Sequence, residues 1–434
     1  MARWHRWGLA VAALTPGVAC AQMSTEEIVH SVWIATCAGL VLMMQPGFAL
    51  LESGFCRAKN AVNVIMKNFT DCAIASLAYW AVGFGLMFGL NWNGLVGTSD
   101  FFPGGGGGDT SLVNVLYQTF FAATAATIIS GAVAERIRFM PYLVGTAVMV
   151  CVIYPIYGAW VWGGTADNPG WLRGMGFLDT AGGSAVHVIG GFTALGALVV
   201  LGPRLGRFSR TGEVREIPGH NLPLAALGAF LLWVGWLGFN GGAADPDFND
   251  LGVIVLNTHL GAAAGIVGAM LTLAIHRRPL LMSAVLNGAL GGLVAVTAGA
   301  KYMDPGFAIV TSLVGGMIAV VGPAMLQRMK IDDVVDAVSV HGFCGLWGTI
   351  ATGMFMRDHL FDPHQIGVQA LGAFVAAGWA FTIGWGLYKL LAVTIGVRAS
   401  TEHEQRGLDY TEHYEIGYGE FMASRTHRDL GGEA

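Results

Sequence analysis

The sequence predicts an all-α protein that crosses a lipid bilayer many times. Apolar residues make up 54% of the 434 positions and charged residues only 12%, against roughly 25% in soluble domains. Apolar stretches long enough to cross about 30 Å of hydrocarbon recur along the chain. The basic residues between these stretches concentrate on alternate loops, as expected when alternate loops face opposite sides of a membrane.

The first 21 residues predict a signal peptide. A basic start precedes an apolar stretch over residues 7–18, and Ala19-Cys20-Ala21 fits a small-x-small cleavage site. We expect cleavage after Ala21, with the mature N-terminus outside. An additional membrane helix is the alternative, which Pro16 and the short apolar length disfavour.

Eleven apolar stretches follow and predict eleven transmembrane helices. They lie near residues 29–51, 61–90, 112–134, 138–163, 180–203, 221–244, 251–275, 280–298, 305–326, 337–356 and 366–396. We expect two inverted five-helix halves and a final helix. With the N-terminus outside, eleven crossings leave the C-terminus inside, so that residues 22–397 form the membrane domain and residues 398–434 a cytoplasmic tail.

The distribution of basic residues agrees with this orientation. The outer loops hold Arg173, Lys301 and Arg357, whereas basic residues are several times more frequent on the inner loops. The inner residues are Arg57, Lys59, Lys67, Arg136, Arg138, Arg204, Arg207, Arg210, Arg215, Arg277, Arg278, Arg328 and Lys330. The predicted location is the cytoplasmic (inner) membrane of a bacterium.

Composition also excludes several classes of protein. The net charge is −5 and no basic face or run is present, so nucleic acid is not an expected partner. The six cysteines have no paired spacing and are expected to be small core residues. We expect no cofactor.

Two histidines fall at membrane depth. His187 lies in the fifth predicted helix and His341 in the tenth, and both fit the pattern Val-His-x-x-x-Gly. A single buried histidine is more often structural, but equivalent positions in two inverted halves would bring these two together near the midplane. Imidazole accepts a proton at one nitrogen while donating from the other, so the pair predicts a proton relay.

The aromatic and acidic residues near the predicted helix ends have two interpretations. Phe121, Trp162 and Phe239 are ordinary core or lipid-facing rings unless they face a cation, which their ring faces can attract. Asp179 precedes the fifth helix as a predicted N-cap. Asp332, Asp333 and Asp336 precede the tenth helix, where they can cap the helix or meet a basic partner, and we favour a solvated, capped helix start.

Five segments make the chain resemble the ammonium transporter family, in the Amt branch that is related to the Rh proteins. They are Ala134-Glu135-Arg136-Ile137-Arg138-Phe139, Val161-Trp162-Gly163-Gly164, Asp179-Thr180-Ala181-Gly182-Gly183-Ser184-Ala185-Val186-His187, Gly235-Trp236-Leu237-Gly238-Phe239-Asn240 and Val340-His341-Gly342. The resemblance covers nearly everything after the predicted signal peptide. It implies ammonium or ammonia transport by a homotrimer with one hydrophobic pore in each subunit.

The resemblance also implies roles for individual residues in the membrane. His187 and His341 become the paired histidines of the pore, and Phe121 and Phe239 its stacked gate. Trp162 and Phe121 become the aromatic wall of an outer ammonium site. Because a charged ion is costly in an apolar pore, the proton should separate from ammonia below the gate. Whether the proton then accompanies ammonia, making transport electrogenic, stays open.

The resemblance also bears on three further residues, Asp179, Ala243 and Asp336. Asp179 becomes a buried acid that supports the outer site without touching the ligand. Ala243 stands where the family commonly has a serine whose hydroxyl joins that site, so affinity at the pore mouth becomes uncertain. The tail over residues 407–418 resembles a regulatory C-terminus on which a PII-type signal protein docks, and Asp336 is its candidate contact near the inner mouth.

Two other functions compete with transport. A membrane sensor could bind ammonium and signal through its tail without conducting it; few residues follow Tyr418, so we expect such a sensor to need a separate signalling partner. An enzyme is the third possibility, since two histidines can serve as metal ligands. The sequence lacks His-Glu-x-x-His and convincing further ligands, so we expect no metal site and no enzymatic activity.

Overall fold

The structure is a computed structural model that describes residues 24–104 and 109–419. The predicted signal peptide over residues 1–21 and the end of the predicted tail from residue 420 lie outside the described residues.

Eleven helical segments follow one another along the described chain. They are α1 (Thr25–Phe55), α2 (Ala58–Phe88), α3 (Asp109–Ala132), α4 (Phe139–Val161), α5 (Gly183–Leu201), α6 (Leu222–Gly241), α7 (Leu251–Ile275), α8 (Met282–Thr297), α9 (Pro305–Arg328), α10 (Val338–Phe343 continued by Cys344–Met354) and α11 (Pro363–Thr394). Three short helices, Trp171–Gly174, Thr401–Arg406 and Leu408–His413, lie outside these segments. Two short strands, β1 (Asn91–Trp92) and β2 (Val96–Gly97), pair antiparallel after α2.

Nine of the helices in the described ranges are long and apolar enough to cross a membrane. The other two are α8, an apolar helix of 16 residues, and α10, which joins a π-helical turn to an α-helix. These two occupy the predicted stretches 280–298 and 337–356. The multi-pass helical class is therefore confirmed, whereas eleven crossings and the orientation of the termini stay predictions.

Local sequence explains where several helices begin. Ser24 and Glu27 form a reciprocal capping box at α1, in which the Ser24 hydroxyl accepts from the Glu27 amide and the Glu27 carboxylate accepts from the Ser24 amide. The Asp362 carboxylate accepts from the His364 amide, and Pro363 occupies the first turn of α11. These caps satisfy amides that the helices themselves cannot pair.

α5 and α10 both begin with a π-helical turn. His187 lies in the turn Gly183–Val188 and His341 in the turn Val338–Phe343. The two helices cross so closely that a Cβ atom on Gly191 would collide with the backbone nitrogen of Gly342. Glycine at this crossing lets the two backbones approach, and the approach brings the turns that carry the histidines together.

The start of α10 differs from the sequence expectation of a solvated cap. Asp332 is only 2% exposed, and its carboxylate accepts two hydrogen bonds from the Arg204 guanidinium at 2.8 and 3.0 Å. Asp333 is also buried and accepts from the Val338 amide at 2.7 Å. Helix capping is therefore present at Asp333. The prediction of a solvated environment was wrong, because the loop after α5 folds over the Asp332 carboxylate.

Lys67 also differs from its expected place on an inner loop. It lies two turns inside the α-helical part of α2, Ala61–Ala78, and its side chain has no exposed surface. Its ammonium group donates to the Ser130 carbonyl at 2.8 Å. Lys67 is thus a buried cation within the bundle and does not contribute to the charge of the loops.

The described part of the tail packs against the start of α2. The Asp409 carboxylate accepts from the Asn63 amide at 2.8 Å, and the Leu408 amide donates to the Asn60 side chain at 2.9 Å. Lys59 donates to the carbonyl of Glu404 at 2.6 Å. We call this end of the bundle the tail face and the opposite end, which carries Trp162, the vestibule face.

Candidate functional site

A column of aromatic rings runs from the vestibule face into the bundle. Trp162 meets Phe121 edge-on with 6.3 Å between ring centroids. Phe121 stacks on Phe239 at 4.0 Å and an interplanar angle of 5°. Phe239 lies 5.6 Å from the His187 ring, and His187 stacks on His341 at 5.2 Å. Residues from α3, α4, α5, α6 and α10 are thereby brought into one line.

The two phenylalanines close the column below the vestibule. Phe121 is 1% exposed and Phe239 has no exposed surface. The Tyr117 hydroxyl donates to the Phe239 carbonyl at 2.5 Å and fixes the end of α6 against α3. The two buried, parallel rings present only apolar surface at this point of the column.

A cavity of about 580 Å³ opens outside the gate. Phe121, Trp162 and Ala243, the three residues assigned to the outer site, all line it. Phe121 and Trp162 therefore contribute rings to the cavity wall, while Ala243 offers a methyl group and no hydroxyl. The arrangement can attract a small cation through the ring faces.

Gln118 is a cavity-lining residue that the sequence interpretation missed. Its side-chain oxygen is buried and has no hydrogen-bond partner among the described residues. The oxygen is therefore available to accept from an N–H donor in the vestibule. The signal in the sequence was its position one helical turn before Phe121 on α3, which places both side chains on one face.

Asp179 lies beside this cavity and organises the start of α5. One carboxylate oxygen accepts from the amides of Gly182 and Gly183 at 2.7 and 2.8 Å, and the other accepts from the Ser184 amide and hydroxyl at 2.8 and 2.6 Å. Its carbonyl accepts from the Trp162 indole at 2.8 Å. Asp179 thus holds both the helix that carries His187 and the ring that walls the vestibule.

The histidine pair lies directly beyond the gate. The Nδ1 atoms of His187 and His341 are 3.1 Å apart, so one ring donates a hydrogen to the other. His187 has no exposed surface and His341 is 4% exposed. The pair therefore offers a route by which a proton can pass between two helices in an apolar environment.

Trp236 fixes the orientation of His187 from a third side. Its ring stacks on the imidazole at 5.0 Å, and its indole nitrogen donates to the Thr297 hydroxyl at 2.8 Å. Because the indole is itself tethered to α8, the imidazole plane cannot rotate without displacing the tryptophan. The sequence placed Trp236 beside Phe239 but gave no means of distinguishing this role from simple packing.

Asp336 lies at the tail end of α10, away from the ring column. It is partly exposed, and its carboxylate accepts from the Asn287 amide at 3.1 Å. Burial of the carboxyl and the neighbouring charge of Asp333 raise the pKa of Asp336 to about 8.

The charged residues around the tail face form a separate network. Glu135 pairs with Arg57 at 2.5 Å and with Arg204 at 3.5 Å. Burial opposes ionisation of Asp332, but hydrogen bonds from Arg204 and the charges of Arg136 and Arg204 outweigh it and lower the pKa of Asp332. Burial likewise opposes ionisation of Glu135, and the charges of Arg204 and Arg57 lower its pKa.

No group of three or more histidine, cysteine, aspartate or glutamate side chains within the described ranges could hold a metal ion.

The Ammonium Transporter Family model matches residues 32–418. The chain belongs to the ammonium transporter family. Ammonium transporter Amt2 of Archaeoglobus fulgidus is 43% identical, with 93% of this chain and 91% of the relative aligned.

Two solved structures share the fold. A structure named Sensor Amt Protein superposes with a TM-score of 0.86 at 37% identity, covering 89% of this chain and 99% of that chain. The crystal structure of Candida albicans Mep2 gives a TM-score of 0.78 at 29% identity, covering 86% of this chain and 87% of that chain. The likeness therefore spans nearly the whole membrane domain of this ammonium transporter family member.

Proposed function

We propose that this chain carries ammonium nitrogen across the cytoplasmic membrane of a bacterium, by releasing ammonia from its proton behind a phenylalanine gate. The observation that carries the proposal is the hydrogen-bonded pair His187 and His341, placed directly beyond the stacked rings of Phe121 and Phe239. In this proposal the vestibule faces outside and the tail face is cytoplasmic. The chain acts as a homotrimer with one pore in each subunit.

Recognition begins in the vestibule. The rings of Trp162 and Phe121 attract an ammonium ion while it keeps part of its hydration. The unpaired oxygen of Gln118 can accept one of its N–H groups, a contact that compensates in part for the missing hydroxyl at Ala243. Asp179 keeps the Trp162 ring in place through the hydrogen bond to its carbonyl.

Separation of the proton follows from the cost of desolvation. An ion between Phe121 and Phe239 would lose its water with few compensating hydrogen bonds, whereas neutral ammonia has a far smaller transfer cost. A neutral imidazole can accept the proton at one nitrogen and release another proton from the second nitrogen. His187 and His341 therefore relay the proton while ammonia passes along the same column.

Current measurement on protein-containing membranes tests the transport proposal. An ammonium pulse should produce a current in vesicles that carry the purified trimer and no current in vesicles without protein. A pulse of sodium at equal ionic strength controls for nonspecific leakage. Absence of both ammonium-driven current and ammonia flux would overturn transport.

A sensor is the second candidate function. Its support is the structural likeness to the protein named Sensor Amt Protein, together with a tail that packs on the tail face. A sensor of this kind would bind ammonium in the vestibule and pass the change to a signalling partner through the tail. Saturable ammonium binding by purified protein that moves neither charge nor ammonia would favour the sensor.

Regulation by a PII-type signal protein is a further part of the proposal. Asp336 lies at the tail face near the pore exit and retains an exposed portion. An inserted basic side chain would find the Asp336 carboxyl there, and its charge would favour the ionised carboxylate. A protein seated in this position would cover the pore mouth.

A further inference from the structure

A small cavity lies beside His341 on the side away from the gate. Ser31 and Ile34, early in α1, line the vestibule, whereas Glu52, several turns later in the same helix, lines this second cavity together with His341. The cavity therefore lies between the histidine pair and the tail face. Its volume is about 10 Å³, close to the space that a single water molecule needs.

Three polar side chains converge on this cavity. They are His341, Glu52 and Asn287, and the other seven lining residues are apolar. The Asn287 amide nitrogen donates to Asp336, which leaves its side-chain oxygen buried without a partner among the described residues. A water in such a site has three polar neighbours, which is the usual number for a buried water.

His341 and Glu52 each have one polar atom that can hydrogen-bond to a water in the cavity. The Nδ1 atom of His341 is engaged with His187, so Nε2 is the nitrogen left for a second partner. The Oε2 atom of Glu52 accepts from the Asn68 amide at 2.9 Å and from the Ser130 hydroxyl at 2.8 Å. Both of these hydrogen bonds go to Oε2, so Oε1 is the oxygen that can accept from the cavity.

The surroundings of Glu52 allow it to exist in both charged and neutral forms. The carboxyl is 1% exposed, and the two donors from Asn68 and Ser130 favour the carboxylate. The buried ammonium group of Lys67 donates to the carbonyl of Ser130, whose hydroxyl donates to Glu52. Ser130 therefore lies between the positive charge of Lys67 and the Glu52 carboxyl. The ammonium group compensates the carboxylate form, whereas burial by itself favours the neutral carboxylic acid, which leaves one positive charge at the pair.

We propose that Glu52 is the proton acceptor on the cytoplasmic side of the histidine pair, reached from His341 through a water in this cavity. The proposal rests on the transport function proposed above and names the group by which the proton leaves the relay. Nothing in the transport proposal itself requires a carboxyl group at this position.

The proposed step is a proton transfer without change in redox state. The Nε2–H bond of the His341 imidazolium breaks, its electron pair stays on Nε2, and the proton binds the water oxygen. That water releases a different proton to Oε1 of Glu52, where a new O–H bond forms. Imidazolium and carboxylate become neutral imidazole and carboxylic acid, and the carboxylic acid then releases the proton toward the tail face.

The test separates proton movement from ammonia movement in the same vesicles. Purified trimers of wild type, Glu52→Gln, Glu52→Asp and Asp71→Asn are placed in vesicles that contain a pH-sensitive dye, and current and internal pH are recorded after an ammonium pulse. Asp71 is the matched control, because it is a fully buried carboxyl of α2 that binds the Tyr142 hydroxyl and does not line the cavity.

We expect Glu52→Gln to reduce the current by about tenfold or more, since a single acid–base group typically contributes at least that much. The interior should then become alkaline, because ammonia still enters and binds protons there. Glu52→Asp should restore part of the current, and Asp71→Asn should keep it. Asn287→Leu alters the cavity from another helix and should reduce the current as Glu52→Gln does. If Glu52→Gln fails to assemble, Asn287→Leu tests whether the cavity carries the proton.

Three results would overturn the proposal, and they differ in what they say about transport. A wild-type current in Glu52→Gln, or an equal loss in Asp71→Asn, removes Glu52 from the pathway while transport stands. Ammonia flux without charge movement in wild type also removes it, since no proton then crosses. Wild-type protein that moves neither charge nor ammonia overturns the transport function and this proposal together.

Discussion

At the scale of single residues, the site depends on how four side chains are placed relative to one another. Two imidazoles share a hydrogen bond directly behind two parallel phenylalanine rings. The identities of these four residues were available in the sequence, and the resemblance to a family assigned their roles. Their contact distances come only from the fold.

Replacement of either histidine by alanine tests the relay. His187→Ala and His341→Ala should each reduce ammonium-driven charge movement or relax ion selectivity, because one partner of the Nδ1 contact is lost. The measurement is current under ammonium, potassium and sodium gradients, with trimer assembly checked by size-exclusion chromatography. Currents and selectivity that match wild type in both variants contradict the relay.

The vestibule allows a second test at this scale. Trp162→Leu should raise the half-saturating ammonium concentration about fivefold, which corresponds to about 1 kcal/mol for loss of a ring face. Ala243→Ser should lower it by adding a hydroxyl, and Gln118→Leu should raise it by removing the unpaired oxygen. Leu90→Ala, at an exposed position outside the vestibule, is the control. An unchanged half-saturation in all three vestibule variants means that the outer site lies elsewhere.

At the scale of helices, the two π-helical turns and the crossing between them decide the geometry. Each histidine is carried by such a turn, and the approach of α5 to α10 depends on the absence of a side chain at Gly191. Position along a helix alone would not bring two imidazoles within hydrogen-bond distance.

Gly191→Ala should therefore separate the helices and impair both stability and transport, since the added Cβ collides with the α10 backbone. We expect a loss of about 1–3 kcal/mol in stability, measured as a lower midpoint of thermal unfolding in detergent. Gly386→Ala is the matched control, because a Cβ on that helical glycine meets no atom within 4 Å. Equal midpoints for the two variants would show that the crossing tolerates a side chain.

The ion pairs at the tail face make a prediction about pH. The pKa values of Asp332 and Glu135 are lowered by their arginine partners, so the stabilisation is present above the unfolded-state values of about 4 and is lost as the pH falls further. The midpoint of thermal unfolding should hold from neutral pH down to about 4.5 and decline below it.

Arg204→Met tests whether these ion pairs are the cause. It leaves the buried carboxyl of Asp332 without its two guanidinium hydrogen bonds and should cost about 3–5 kcal/mol at neutral pH. Because the carboxylates then lose a partner, the decline below pH 4.5 should also become shallower. Arg210→Met, on an exposed part of the same loop, is the control. A steep acid decline that persists in Arg204→Met would assign it to other groups.

At the scale of the whole molecule, the fold places the aromatic vestibule and the tail at opposite ends of the bundle. The vestibule and gate lie at one face, and the tail with the buried charge network lies at the other. The tail keeps two apolar side chains in solvent, Tyr414 at 82% and Ile416 at 51% exposure. These belong to the segment that the sequence assigned to regulation, and they offer a surface to a partner.

Docking of a PII-type trimer should depend on this face. Asp336→Ala and Tyr414→Ala should each weaken capture, by about tenfold or more where a desolvated charge contact is lost. These point variants are preferable to truncation before Gly407, which would also remove the Leu408 and Asp409 contacts that anchor the tail. Glu213→Ala, on an exposed loop at the same face, is the control. Equal capture of all variants would exclude Asp336 and Tyr414, and absence of capture by wild type under every nucleotide condition would strengthen the sensor.

The sequence by itself determined the membrane class, the order of the helical segments and the identity of the residues that line the ring column. It could do so because lipid demands long apolar stretches, and because ionisable residues within them are rare enough to stand out. Lys67 carried the same signal but was not singled out, and Glu52 lies one residue beyond the predicted stretch 29–51. Lys67 was placed on a loop because it lies close to one end of an apolar stretch.

Only the tertiary structure decided which of these polar residues meet. The helices are apolar on nearly all sides, so sequence periodicity does not indicate which face of one helix turns toward which neighbour. Glu52 and His341 are far apart in the chain and share a cavity only because α1, α8 and α10 pack around it. Asp332 is buried because the loop after α5 closes over it. Contacts between distant segments depend on packing, which local pattern does not encode.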